Sequence, residues 1–136
     1  MDTIRSAQRS ALMSRIKSEN TGPEMIVRQM VHRLGFRYRL HRRTLPGAPD
    51  LVFPRLRCVV FVHGCFWHQH AGCRRSNMPK TRTDYWGPKL ERNVRRDEAA
   101  SEALVQLGWT VAIVWECETE KPEGLEQKLG AFLSKP

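Results

Sequence analysis

The side chains in this sequence that could bind a metal or transfer a proton are concentrated in one short stretch, residues 61–73. The stretch holds three of the five histidines and two of the four cysteines, with a Phe and a Trp side by side in its middle. Beyond its first residues it follows neither the period of two typical of strands nor the 3.6-residue period typical of helices, which predicts a loop. Because loops rich in such side chains are disproportionately functional, we expect a metal-binding site here.

Four residues form a candidate zinc set: Cys65, His70 and Cys73 in this stretch, and Cys117 far along the chain. Thiolate and imidazole are the ligands that Zn²⁺ selects, and four of them close a tetrahedral structural site. Such a zinc would tie the loop to the end of the strand that precedes Cys117. The alternative is a set of unliganded thiols and a surface histidine. Cys58, a cysteine with apolar neighbours, is interpreted as such a structural thiol.

Two histidines of the same stretch, His63 and His68, remain available for proton transfer. His63 ends a predicted buried strand and His68 lies two residues before a candidate ligand, so both should be held rigidly and near one another. Asp97 falls on the inward stripe of a predicted long helix, from which its carboxylate could fix an imidazole tautomer. The alternative is that His68 is a solvated loop residue and Asp97 a hydrogen-bonded buried acid.

Asp50 is the strongest candidate among the acidic residues for binding Mg²⁺. It opens a predicted strand after a Pro-Gly-Ala-Pro turn, where its carboxylate could bind the ion together with waters and the carbonyl oxygen of Val62. Asp is also common beside Pro and Gly for turn chemistry alone. Glu24 is open to two interpretations as well, a capping-box residue of a core helix or a residue near the metal.

Three aromatic residues, Phe66, Trp67 and Trp86, are unusual for polar segments of a basic chain. Such rings can stack on bases or wedge between them, each contact contributing about 1–3 kcal/mol. Phe66 and Trp67 are adjacent, so both cannot easily face inward. Trp86 is equally compatible with packing under the long helix.

The charge of the chain is large and unevenly distributed. The formal net charge is +9. The chain has 136 residues, and we expect residues 1–136 to form a single domain. Residues 1–97 carry 20 Lys and Arg against 7 Asp and Glu, whereas residues 98–136 carry 3 against 7. This asymmetry, with arginine dominant in the basic part, predicts a surface that meets a polyanion. The alternative is a basic protein without a nucleic-acid role.

The sequence shows no sign of a membrane protein or of a secreted one. Its apolar runs are far shorter than the roughly 20 residues that span a bilayer, and its start lacks the pattern of a signal peptide. We therefore expect a cytoplasmic protein without membrane association. In that compartment cysteines stay reduced, so clustered Cys and His favour a metal over a disulfide.

The hydrophobic pattern predicts the elements that must position these residues. Helices are predicted over residues 3–18, 22–34, 83–107 and 123–133, and strands over residues 36–40, 50–53, 58–62 and 109–115. The first helix is basic with a thin apolar stripe, so it should lie on the surface or order on DNA. Thr83 is expected to cap the long helix, and the last two strands are expected to be buried. This order of elements favours an α/β fold, a mixed sheet with helices on both faces.

At the candidate metal-binding, catalytic and aromatic residues the sequence closely resembles the very-short-patch-repair (Vsr) DNA mismatch endonucleases. The similarity covers nearly the whole chain and is most specific in the His-Gly-Cys-Phe-Trp-His run of residues 63–68; the other similar segments are residues 9–15, 45–50, 81–86, 89–97 and 107–117. The resemblance implies a restriction-endonuclease-like fold of the PD-(D/E)xK type, with a mixed central sheet flanked by helices and a structural zinc site. It also implies hydrolysis of one phosphodiester on the 5′ side of the T in a T·G mismatch, which arises by deamination of 5-methylcytosine.

The resemblance further implies roles for individual residues. Asp50 and Val62 would bind Mg²⁺, with Glu24 near the metal. His63 and His68 would assist the attack of water, with Asp97 supporting His68. Structural Zn²⁺ would be bound by four residues (Cys65, His70, Cys73, Cys117). An aromatic wedge would lie beside the mismatch (Phe66, Trp67, Trp86), and a basic helix within residues 1–20 would contact the DNA (Arg9, Met13, Arg15).

Two departures from the family pattern bear on these roles. The strand over residues 58–62 ends in apolar residues where the wider superfamily places an acidic residue and a lysine, so the histidines would do that work. Val62 stands where Thr is expected, and Ala71 and Gly72 precede Cys73. Val suffices at the first position if only its carbonyl oxygen binds the metal.

The expected partner is double-stranded DNA with a T·G mismatch, bound by a monomer, and the family suggests a link to mismatch-repair proteins. Two alternatives remain open. One is an endonuclease of the same fold that cuts both strands of matched DNA. The other is a zinc-stapled DNA-binding module without catalysis, against which Asp50 and the two spare histidines argue.

Overall fold

The computed structural model describes residues 20–134, which contain three helices and four strands. In chain order these are α1 (Gly22–Arg33), β1 (Arg39–Leu40), β2 (Leu51–Phe53), β3 (Cys58–His63), α2 (Thr83–Gln106), β4 (Thr110–Trp115) and α3 (Pro122–Leu133). Short 3-10 turns follow β2 and β4, and another lies between β3 and α2. The helix predicted over residues 3–18 lies outside the described residues. No helix in residues 20–134 is long and apolar enough to cross a membrane.

The four strands form one mixed sheet in the order β1-β2-β3-β4. The first three strands make an antiparallel meander, and β4 pairs in parallel with β3, from Cys58 opposite Thr110 to His63 opposite Trp115. Parallel neighbours need a crossover connection, and α2 supplies it. The predicted mixed sheet is confirmed.

Helices cover both faces of this sheet, as the order of elements predicts. On one face α1 and α3 pack against the strands through Val27, Met30, Val31, Leu125, Leu129 and Leu133. On the other face Leu104 of α2 packs with Trp109 against Val52, Val59 and Phe61. The central strands therefore carry apolar side chains on both faces, which explains the unbroken apolar run of β3.

The turn before β2 depends on a close approach that only glycine permits. Gly47 has a φ of +73°, and a Cβ atom there would lie 2.7 Å from Cβ of Ala100 on α2 and 3.1 Å from the ring of Phe61. The turn therefore presses against both α2 and β3. This contact fixes the position of the chain just before β2, where Asp50 lies.

α1 begins and ends as predicted. Thr21 is its N-cap and accepts a hydrogen bond of 3.3 Å from the backbone N–H of Glu24, and Pro23 occupies the first turn. Gly35 follows the helix with a φ of +97°. Val27, Met30 and Val31 of this helix are buried, whereas Ile26 is 40% exposed.

Three details of the predicted elements are wrong. The strand over residues 36–40 shortens to Arg39–Leu40, because its register places residue 37 opposite Pro54, which has no N–H to donate. The strand over residues 109–115 was predicted to be buried, but β4 lies at the edge of the sheet and is mostly half-buried. Thr83 is the first residue of α2 and does not cap it; the N-cap is Arg82, with a φ of +58° and no capping side chain.

Two leucines of the same region should respond differently to truncation. Leu104 is fully buried under the sheet, whereas Leu107 is 55% exposed. We expect Leu104→Ala to lower the free energy of unfolding by about 2–5 kcal/mol and Leu107→Ala by less than about 1 kcal/mol. Urea denaturation of both variants measures the difference, and equal losses would contradict the packing of α2 on this face.

Candidate active site and metal centre

The candidate functional residues from several elements meet at one end of the sheet. Because β2 runs antiparallel to β3 and β3 runs parallel to β4, the start of β2 lies beside the ends of β3 and β4. This end carries Asp50 just before β2, His63 as the last residue of β3, and Cys117 just after β4. Glu24, in the first turn of α1, approaches Asp50 at the same end.

Asp50 is held by the backbone of its neighbours. The N–H of Val62 donates to Oδ2 of Asp50 at 2.7 Å, and the carbonyl of Asp50 accepts from the N–H of His41 at 3.1 Å. Burial raises the pKa of Asp50 to about 7; the hydrogen bond from Val62 opposes this rise, and the nearby carboxylate of Glu24 adds to it. Ionised Asp50 is therefore unfavourable unless a cation lies close by.

The carboxylate of Glu24 contacts residues outside the predicted capping box. Its side chain is 1% exposed, and Oε2 contacts Nε2 of His41 at 2.8 Å and the guanidinium of Arg28. One ligand atom from each of Glu24, His41 and Asp50 lies within 4.8 Å of the others. Neither Arg28 nor His41 is among the site residues predicted from the sequence. His41 follows β1 directly, so pairing β1 with β2 in the correct register would have placed it opposite Asp50.

A second group consists of His63, His68 and Asp97. The two imidazole rings are stacked with centroids 3.8 Å apart, and Nδ1 of His68 lies 2.6 Å from Oδ2 of Asp97 on α2. Burial and the neighbouring His68 lower the pKa of His63 to about 4, so its ring is neutral near pH 7. Nδ1 of His63 is buried and has no hydrogen-bond partner in the described part of the chain. The rings are thus held rigidly together.

A third group brings together Cys65, His70, Cys73 and Cys117. The sulfur atoms of Cys65 and Cys117 lie 3.7 and 3.5 Å from Nδ1 of His70, and all four ligand atoms lie within 4.8 Å of one another. A tetrahedral zinc would separate a sulfur and a nitrogen ligand by roughly 3.5 Å. Burial raises the pKa of the Cys65 thiol to about 12, so its thiolate requires a nearby cation. Both the donors and the distances fit one closed metal site.

The buried Cys58 stays apart from this group. It begins β3, and its thiol donates to the carbonyl of Leu56 at 3.4 Å. Burial raises the pKa of this thiol. Its interpretation as a structural cysteine is consistent with that position.

The loop that supplies these ligands is shaped by its own backbone. The N–H of His70 donates to the carbonyl of Cys65 at 2.9 Å, and Gln69 between them adopts a φ of +51°. The imidazole of His70 stacks on the ring of Trp115, with centroids 4.2 Å apart. Trp115, which no sequence pattern singles out, therefore orients a candidate ligand.

Phe66, Trp67 and Trp86 form an aromatic cluster beside the histidine pair. Their ring centroids lie 5.2 to 5.8 Å apart, and all three side chains are half-buried. Nζ of Lys89 lies 5.6 Å from the ring centroid of Trp67 and 5.8 Å from that of Trp86. Nδ2 of Asn93 donates to the carbonyl of Trp67 at 3.2 Å, which ties the loop to α2. The cluster thus presents aromatic surface next to a cation, while Arg9, Met13 and Arg15 lie outside the described residues.

The chain is similar to known endonucleases and nicking enzymes. The model of the family "DNA mismatch endonuclease Vsr" matches residues 1–84. The chain is 51% identical to the type II nicking enzyme V.XorIIP of Xanthomonas oryzae over 97% of its length and 96% of that enzyme. It is 41% identical to the DNA mismatch endonuclease Vsr of Escherichia coli, over 88% of this chain and 76% of that protein.

A further relative, the type II nicking enzyme V.NmeAIP of Neisseria meningitidis, is 38% identical over 97% of the chain and 94% of that enzyme. These matches, with which the mixed α/β fold is consistent, place the chain in the class of DNA endonucleases. More narrowly, the chain belongs to the Vsr family of DNA mismatch endonucleases.

The raised pKa of Asp50 predicts a dependence of stability on pH. Its folded value of about 7 lies above the ordinary value of 3.8, so the ionised carboxylate destabilises the fold. This penalty is absent below about pH 4, grows as the pH rises, and is complete above about pH 7. Without added divalent metal, Asp50→Asn should raise the free energy of unfolding by about 1–3 kcal/mol near pH 8 and by less near pH 5.

Urea denaturation at the two pH values tests this expectation. The control is Asp84→Asn, which removes an exposed carboxylate from the first turn of α2 and should change stability by less than about 0.5 kcal/mol at either pH. A destabilised Asp50→Asn protein near pH 8, or an equal gain at both pH values, would contradict the electrostatic account of the site.

Proposed function

We propose that this protein recognises a T·G mismatch in double-stranded DNA and cuts one strand on the 5′ side of the mismatched T. Such a nick starts the very short patch repair of deaminated 5-methylcytosine. One observation carries the proposal: Asp50 and the stacked pair of His63 and His68 lie at the same end of the sheet as the aromatic cluster. Cleavage and base recognition would then act on neighbouring nucleotides. Family membership and the charge of +9 support a DNA substrate.

The donors around Asp50 fit Mg²⁺, which prefers oxygen ligands and keeps several of its waters. The protein would hold it through the carboxylate of Asp50 and the carbonyl oxygen of Val62, with Glu24 beside them. When bound, the ion supplies positive charge at the scissile phosphate and lowers the pKa of a water. The unfavourable burial of the Asp50 carboxylate supports this assignment, since a cation would relieve it.

The two histidines, His63 and His68, would assist proton transfer in the reaction. Nδ1 of His68 lies within hydrogen-bond distance of Asp97, and in the tautomer that donates from Nδ1 the Nε2 atom would take the proton from water. His63 is neutral near pH 7 because burial and His68 lower its pKa to about 4, so it adds no competing positive charge to the stack. The pair can therefore assist an in-line attack of water on the phosphate.

The aromatic cluster would recognise the mismatch. Phe66, Trp67 and Trp86 are half-buried, so each ring is anchored on one side and offers its other side to a base pair. Wedging between bases is cheaper where pairing is already imperfect, as at a T·G pair. The basic segment within residues 1–20, with Arg9, Met13 and Arg15, would add contacts to the same DNA.

The topology of the sheet supports a nuclease fold. Its antiparallel meander, followed by a helical crossover to a parallel strand, fits a PD-(D/E)xK fold in which Asp50, directly before β2, would be the metal-binding acid. β3 offers no acid or lysine at its end, and His63 and His68 would replace them. We expect a monomeric enzyme of one domain that acts in the cytoplasm, in contact with mismatch-repair proteins.

Zinc would have a structural role. Cys65, His70, Cys73 and Cys117 leave no ligand position for a substrate, since four protein ligands complete a tetrahedron. The ion would join the loop that carries His68 to the end of β4. Its removal should therefore loosen the histidine pair and the aromatic cluster together.

A cleavage assay tests the proposed reaction. Duplexes that differ only at one central base pair, T·G or T·A, with randomised flanking bases and a label on either strand, are incubated with protein and Mg²⁺. We expect one nick, 5′ to the mismatched T, and no cut in the matched duplex. Asp50→Asn should slow nicking by roughly 100-fold or more with binding retained, because charge stabilisation by the metal contributes several kcal/mol.

The control in this assay is Asp84→Asn, which should nick at the rate of the unmodified protein. Cuts in both strands of matched DNA would indicate instead an endonuclease of the same fold with another substrate. Binding without cleavage would indicate a non-catalytic DNA-binding module. Nicking that survives Asp50→Asn would remove Asp50 from the metal site.

Metal analysis tests the zinc proposal. Purified protein should contain one equivalent of zinc per chain, and Cys117→Ser should lose most of it and unfold at a lower temperature, because a structural zinc contributes directly to folding. Cys58→Ser is the matched control: Cys58 lies outside the cluster, so the zinc content should be unchanged. Full zinc occupancy in Cys117→Ser would contradict the proposed ligand set.

A further inference from the structure

His41 is the residue near Asp50 for which the proposed reaction has no role. It directly follows β1, has a φ of +43°, and its side chain is 14% exposed. Its N–H donates to the carbonyl of Asp50 at 3.1 Å, and its Nε2 lies 2.8 Å from Oε2 of Glu24. The imidazole is therefore directed toward the two carboxylates and away from the solvent.

The spacing of these donors suits a shared cation. Ligands on adjacent corners of an octahedron with bonds of about 2.1 Å lie about 3 Å apart. The contact of 2.8 Å between His41 and Glu24 has that length, and a ligand atom of Asp50 lies within 4.8 Å of both. The three donors come from α1, from the segment after β1 and from the start of β2, so the fold itself brings them together.

The local charge also favours a cation. Glu24 contributes a buried carboxylate and Asp50 a half-buried one, and the guanidinium of Arg28 contacts Glu24. Arg28 carries one positive charge, which leaves one of the two negative charges without a matching cation among these three side chains. A divalent ion would complete the neutralisation.

We propose that the cation at Asp50 is also bound by Glu24 and by Nε2 of His41, which makes the site a mixed oxygen and nitrogen site. This inference rests on the proposed function for the presence of a cation at Asp50. Imidazole is a better ligand for transition metals than for Mg²⁺, whereas carboxylates serve both. The chain should therefore bind Mn²⁺ in preference to Mg²⁺, and His41 should cause that preference.

Binding of Mn²⁺ to the zinc-loaded protein tests the inference without DNA or catalysis. Calorimetric titration gives the affinities for Mn²⁺ and Mg²⁺, and pulsed electron paramagnetic resonance detects a nitrogen bound directly to Mn²⁺. We expect Mn²⁺ to bind about tenfold more tightly than Mg²⁺ or better, with a directly bound imidazole nitrogen. His41→Gln should lose the nitrogen signal and about tenfold in Mn²⁺ affinity, while the affinity for Mg²⁺ changes by less than about threefold.

His32→Gln is the matched control, because His32 is an exposed histidine on α1 outside the cluster. It should retain the nitrogen signal and both affinities. The inference about His41 is overturned if Mn²⁺ bound to the unmodified protein shows no directly bound nitrogen, or if His41→Gln keeps that signal. The first of these results does not depend on the stability of any variant.

Asp50→Asn separates this inference from the proposed function. If Asp50→Asn abolishes Mn²⁺ binding while His41→Gln leaves the nitrogen signal intact, the metal site stands and the role of His41 is wrong. If Asp50→Asn binds Mn²⁺ as the unmodified protein does, the metal site at Asp50 is itself wrong.

Discussion

The parallel pairing of β3 with β4 determines which side chains can meet at the functional end of the sheet. Its register places His63 opposite Trp115, so Cys65 and Cys117, each two residues further along, leave their strands side by side. Trp115 then contacts the ring of His63 and stacks on that of His70. A slip of one residue would turn Trp115 to the other face of the sheet and separate the two groups that it joins.

Burial of acidic side chains is a second constraint on this structure, and it lowers the stability of the fold. Glu24 is buried and lies close to Asp50, and Arg28 with the N–H of Val62 offsets only part of the cost of burial. A carboxylate that is unfavourable in the absence of a cation is well suited to bind one, since the interaction relieves an existing penalty. The fold tolerates the penalty because the surrounding core is fully packed, with Val27, Val31 and Leu51 completely buried.

Much of this fold could be predicted from the sequence because its signals are local. The unbroken apolar run of β3, the stripe that carries Leu104, and the Thr21 cap each depend on neighbouring residues alone. The edge position of β4 and the shortness of β1 could not be predicted in this way, because both depend on which strands pair and in what register. For the same reason the clustered residues of the loop were found, but His41 and Trp115 were not. Their partners are Glu24, Asp50 and His70, which only the paired sheet brings near.

The loop after β3 carries residues for three proposed tasks: metal binding, proton transfer and base recognition. Its candidate metal ligands face the end of β4, whereas Phe66 and Trp67 face Trp86 and Lys89 on α2. Between them His68 reaches Asp97, also on α2, and stacks on His63 of the sheet. Because Phe66, Trp67 and His68 are consecutive and the loop is tied to α2 through Asn93 and Asp97, their positions depend on the same contacts. In the proposed reaction, contact of these aromatic rings with a distorted base pair would therefore act directly beside the imidazole of His68.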